Sequence, residues 1–160
     1  MKVLIGTDGS ELALHAAARA AALLGQPSEV VVVAVVTEVP GDEAGGFEGP
    51  VETPEEQEKT WEREQTDADA AITATADALG SWASGVVRRV EIGDPGGVIC
   101  VLAEEVDADV VVVGSHGKGV LKRVFLGSVS EHVLRHAPCP VLVVRRGAEG
   151  DADGEGASAS

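Results

Sequence analysis

The run from Glu29 to Val36, "EVVVVAVV", is apolar at every position after the first. A strand with one wet face alternates apolar and polar side chains, whereas an unbroken β-branched run marks a strand covered on both faces, as in parallel sheets. A parallel neighbour requires a crossover, and helix signals stand between this run and its counterparts. Those counterparts are Val3–Ile5, "VVRRVEI" from Val86 to Ile92, "ADVVVVG" ending at Gly114, and "PVLVVR" near the C-terminus. After the first, Ser10 caps a helix on which Ala13, Ala16, Ala17, Ala20 and Leu24 recur at helical spacing, with Gly25 placed to end it. Thr53-Pro54-Glu55-Glu56 has the form of a capping box and predicts a second helix to about Leu79, before Gly80. Asp94-Pro95 opens a third through Glu105, and Ser128 to Ala137 forms a fourth, stopped by Pro138. The alternation predicts a three-layer, doubly wound α/β fold: an open sheet of five parallel strands with four helices and right-handed crossovers.

A chain of 160 residues suits one domain, here placed over residues 1–146, followed by an acidic tail at 147–160 expected to be disordered. With 44% hydrophobic and only 2% aromatic residues, the core must be built of Val, Leu, Ile and Ala. No apolar stretch approaches the roughly 18 residues of a membrane span, and "VLIG" after Met1-Lys2 is too short for a signal peptide, so a cytoplasmic protein without a membrane role is expected. Cys100 and Cys139, far apart and outside any CxxC spacing, fit a reduced compartment as small buried apolar residues or incidental thiols. The formal net charge of −15 argues against nucleic acid as a partner and requires any anion to be held locally. It also fits a high-salt cytoplasm, an idea that predicts stability rising between low and molar KCl.

Two glycine-bearing turns, "GTDGS" after the first strand and "GSHGKG" after the fourth, lie at carboxyl ends, where open parallel sheets bind ligands. The second is neither a Walker loop, since Gly119 follows Lys118, nor a GxGxxG fingerprint. Its spacing is Gly114-x2-Gly117, nine residues, then Gly127-Ser128 at a helix start. Glycines allow close approach to a phosphate, and free amides at a helix start hold anions without net positive charge. The bland alternative is that the glycines are turn residues and that Ser128 with Glu131 forms an ordinary capping box.

This pattern resembles the universal stress protein family, whose ATP-binding members carry G-x2-G-x9-G-S/T after the fourth strand. The match is complete in "GSHGKGVLKRVFLGSVSEHVLRHAPCPVLVV", extends to the opening "VLIGTDGSELALHAA", and covers about residues 2 to 145. The resemblance implies strand order 3-2-1-4-5. It implies Thr7 and Asp8 beside the adenosine, with Asp8 near adenine or ribose, Val35 lining the adenine pocket, and Val113 and Gly114 on the ribose side. Gly117, Gly127, Ser128 and Val129 would hold phosphates. Gly6 departs from the Pro or Val that many members carry there. ATP, or AMP or ADP, is the implied ligand, with Mg2+ carried on the phosphates. A homodimer through the edge strand at 140–145 is also implied, and it would cover an apolar edge otherwise open to aggregation.

The leading functional reading is a nucleotide-dependent switch or sensor in stress response, acting on a protein partner that the sequence does not name. A slow ATP hydrolase or phosphotransferase is the alternative, with only Asp8 and Lys118 to nominate for it; a dimeric interaction protein without nucleotide ranks third. His132 and His136, four apart on one helix with Cys139 nearby, lack the third ligand a zinc site needs and read as surface histidines. His116, in the glycine loop, is left open between touching phosphate and packing on the turn. No metal ligand and no catalytic residue is assigned.

Overall fold

Residue-by-residue pairing aligns Val3 with Val30 on one side and with Val110 on the other, placing the first strand at the centre of a parallel sheet. The computed structural model describes residues 1–37, 53–117 and 126–145. The Gly-, Pro- and acid-rich stretch beyond Thr37, residues 38–52, lies outside them, as do Lys118 and the tail at 147–160. The strands are β1 (Lys2–Gly6), β2 (Glu29–Val36), β3 (Val86–Ile92), β4 (Val110–Gly114) and β5 (Val141–Val144), in the order β3-β2-β1-β4-β5. Helices α1 (Glu11–Leu23), α2 (Pro54–Leu79), α3 (Pro95–Glu105) and α4 (Ser128–His136) connect them.

Strand periodicity divides the core into two layers. Val3, Ile5, Val30, Val32, Val110 and Val112 face Ala16, Ala17 and Ala20 of α1 and Ile72 of α2. The intervening Leu4, Val31, Val33, Val111 and Val113 face Ile99 and Leu102 of α3 and Val133 of α4. This three-layer α/β arrangement agrees with the sequence expectation. The order of connection reverses between β1 and β4, so the crevice beyond their carboxyl ends is the switch point of the sheet.

Ser10, Thr53 and Asp94 cap α1, α2 and α3 as expected, accepting from the amides of Ala13, Glu56 and Gly97. At Thr53 the capping box is reciprocal, and the Thr53 backbone amide and then its hydroxyl hold the Glu56 carboxyl below its usual range. Gly25 does not act as a cap. Leu24 ends α1 in an extended conformation (φ −92°, ψ 147°), its amide still bonded to Ala20 O, and Trp82 Nε1 donates to Leu24 O at 3.3 Å. Trp82 belongs to a short 3-10 turn, Gly80–Trp82, that the sequence pattern did not announce. The two edges differ: β3 carries Arg88, Arg89 and Glu91, whereas β5 is "VLVV".

Candidate functional site

Gly6 ends β1 against α3, and a Cβ there would stand 2.8 Å from Ile99 Cδ1. The next residue is anchored by its backbone, since Thr7 N donates to Val33 O at 2.9 Å. Asp8 Oδ1 accepts from Ser10 N at 3.0 Å, the side-chain turn that favours Asp at such a position. Gly9 has φ +72° and lies so close to α2 that a Cβ would meet Ala71 Cβ at 2.9 Å. Backbone conformation and space both require glycine there.

The second turn leaves β4 at Gly114 and returns at Gly127. Its two ends are clamped together: Gly127 N donates to Ser115 O at 2.6 Å. Ser130 Oγ donates to Ser115 O at 2.7 Å and also lies 2.9 Å from Gly127 O. A Cβ on Gly127 would stand 3.0 Å from His116 Cα and 3.3 Å from Ser115 O, so the close approach of the two segments is possible because residue 127 has no side chain. The alternative reading of Ser128 with Glu131 as a capping box is not met. Gly127 is itself the N-cap, without a side-chain hydrogen bond, and Ser128 is the first helical residue. The amides of the first turn of α4 thus have no capping side chain, in contrast to those of the other three helices.

The two turns frame one cleft of about 320 Å3. Thr7, Asp8, Val35, Val113, Gly114, Gly117, Gly127, Ser128 and Val129 all line it, so every residue nominated from the sequence is brought together. Val33, Pro95 and Ile99 complete an apolar wall, and Ser130 and His116 border the glycine-rich end. These residues were not assigned from sequence. Val33 faces the cleft through strand register, Pro95 because it opens α3 directly after β3, and His116 next to Ser115, whose Oγ lies 3.1 Å from His116 Nδ1. Among the described residues no lysine or arginine lines the cleft, so the polar contacts it offers an anion are amides, hydroxyls and the His116 imidazole. Lys118 lies outside the described residues.

His132 and His136 stack with ring centroids 4.3 Å apart, and His136 Nδ1 lies 2.9 Å from His132 O. Among the described residues no group of three or more His, Cys, Asp or Glu side chains is arranged to hold a metal ion. No described helix is long and apolar enough to cross a membrane.

Comparison with known proteins places this geometry in context. The model of the universal stress protein family matches residues 1–145. Universal stress protein MJ0531 of Methanocaldococcus jannaschii is 32% identical over 145 residues, covering 91% of this chain and 82% of that protein. The solved structure of hypothetical protein MJ0577 superposes with a TM-score of 0.69 at 31% identity, covering 91% of this chain and 95% of the other. A universal stress protein solved in complex with cAMP matches with a TM-score of 0.63 at 26% identity, over 90% of this chain and 96% of its own.

Proposed function

The chain belongs to the universal stress protein family, and from that premise we propose that it binds an adenine nucleotide, ATP or its products ADP and AMP, in the cleft between the β1 and β4 turns, as a regulatory switch in stress response. The observation that carries the reading is the cleft's two-part chemistry. An apolar wall of Val33, Val35, Pro95 and Ile99 lines the same cleft as Gly117, Gly127 and an uncapped helix start. A purine fits the wall through dispersion and burial, and phosphates fit amides that the chain leaves open. The cAMP complex of a relative 26% identical to this chain supports the same ligand class.

Within this reading Thr7 and Asp8 lie by the adenosine, Val113 and Gly114 on its ribose side, and Gly117, Gly127, Ser128 and Val129 at the phosphates. Mg2+ enters on the triphosphate. With no described cation at the cleft, binding rests on preorganised amides, which suits a protein of net charge −15. A switch requires only that its partner prefer one nucleotide state. The active species is a homodimer paired along residues 140–145.

Calorimetric titration of nucleotide-free protein with ATP, ADP and AMP, at moderate and at molar KCl, tests the reading, with phosphate release followed on the same samples. Micromolar binding without turnover supports a switch. Sustained phosphate release would make the protein an ATP hydrolase, and no binding at either salt would remove the nucleotide from its function.

A further inference from the structure

Thr75 sits on the core face of α2 beside Ile72 and Leu79, has no solvent exposure, and does not line the cleft. A hydroxyl at such a position is costly to bury unless it is fully bonded, and an apolar residue would fill the space without that cost. Its bonds lead to the cleft. Thr75 Oγ1 donates to Ala71 O at 2.8 Å and lies 2.8 Å from Thr7 Oγ1. Because a hydroxyl has one hydrogen and that of Thr75 is on Ala71 O, the hydrogen between the two threonines belongs to Thr7. Thr7 Oγ1 in turn accepts from Gly9 N at 3.1 Å.

The result is a one-way chain from Gly9 N–H through Thr7 and Thr75 to the Ala71 carbonyl. Thr7 therefore turns its hydroxyl hydrogen toward α2, and its side chain serves the turn rather than a ligand. Asp8 is the residue between the two that the chain secures, and the close packing of Gly9 on Ala71 fixes the same turn from the other side.

We propose that Thr75 is a positioning residue for the cleft: through Thr7 it holds the turn that presents Asp8. The consequence for ligand affinity rests on the nucleotide-binding reading above, whereas the hold on the turn does not. The test uses the full chain carrying Thr75→Val, which keeps shape and removes the hydroxyl, and Thr75→Ser, which keeps it. Thr75→Ala supplies the same deletion if the valine variant does not fold. Amide hydrogen exchange of Gly9 and Ser10 in nucleotide-free protein is compared with that of Val32 in the core, and ATP affinity is measured well below the unfolding temperature. Loss of one such bond is expected to raise exchange at Gly9 about tenfold and weaken ATP by about five- to tenfold, with Thr75→Ser near the parent on both. Unchanged protection at Gly9, an equal rise at Gly9 and Val32, or no rescue by serine would overturn the proposal. Should the parent bind none of the three adenine nucleotides, the nucleotide reading falls, while exchange at Gly9 still decides whether Thr75 holds the turn.

Discussion

Asp8 and Gly117 meet across the cleft: a Cβ on Gly117 would stand 2.7 Å from Asp8 Oδ2. The first turn of the sheet thus reaches the glycine loop through a carboxylate. Gly117 itself is exposed, so Gly117→Ala disturbs no core packing and should change stability by less than about 0.5 kcal/mol. It must, however, push the Asp8 side chain aside. Affinity for ATP is expected to fall about tenfold with the melting temperature nearly unchanged, and equal titration curves for the parent and the alanine variant would refute this.

Gly127 and Ser128 stand side by side in sequence but answer to different demands. Gly127→Ala drives a Cβ toward His116 Cα and Ser115 O, which are backbone atoms that cannot swing away, and is expected to cost about 1–3 kcal/mol of stability. Ser128 is exposed at the first position of α4, so Ser128→Ala should leave the denaturation midpoint in place and weaken only nucleotide binding. Parallel urea melts and titrations separate the two, and a Ser128→Ala variant as unstable as Gly127→Ala would contradict the assignment.

Cys100 and Cys139 are half-buried free thiols against the α3–α4 side of the core. Burial pushes both above the ordinary thiol range, reinforced at Cys100 by Cys139 and Asp94. At Cys139, Asp109 reinforces the rise and the Val111 backbone opposes it. A raised thiol carries less thiolate at a given pH, and thiolate is the nucleophile. Alkylation by iodoacetamide at pH 8 should run about tenfold slower than that of free cysteine and reach the free rate only in denaturant. Native labelling faster than free cysteine would show that these thiols are activated instead.

In β5, Pro140 O accepts from Val111 N and Val144 O accepts from Ser115 N. With the two-residue alternation of a strand, the amides of Val141 and Val143 point away from β4. Val143→Pro removes an outward donor and spares the ladder to β4, a position at which a strand tolerates proline. Light scattering is expected to give a dimeric mass for the parent and a monomeric mass for the variant, with circular dichroism preserved. A parent that is already monomeric at micromolar concentration would sink the homodimer.

The fold was legible because its determinants are local and repeated. Unbroken valine runs announce strands covered on both faces, and Ser10, Thr53 and Asp94 sit where helix starts need oxygen acceptors. The glycines of the cleft were legible from a spacing, and Asp8 from the resemblance of its turn to the family's. What escaped depends on contacts distant in sequence. The helix start at Ser128 was legible, but the capping alternative for Ser128 fails because Gly127, against Ser115, is the N-cap and the bonding role goes to Ser130. Gly25 was displaced as a helix terminator when Leu24 turned extended, its carbonyl accepting from Trp82, 58 residues away. Val33 and Ile99 reach the cleft through register and helix docking, which no single segment encodes. Nothing in the sequence sets Thr75 apart from the other threonines of α2.

The unequal edges of the sheet bear on how large an assembly this chain can form. On β3, Arg89 is paired with Glu91 at 2.7 Å and with Glu105 at 3.5 Å, so a strand arriving there would meet paired charges beside the exposed Val87 and Ile92. Of the two described edge strands, β5 alone carries no charged side chain. If two copies join along β5 about a two-fold axis, as proposed, each uses that edge once and leaves the charge-bearing β3 edge outward. Under the proposed pairing, growth by strand addition would stop at a pair, with the paired charges around Arg89 set against any further strand at the other edge.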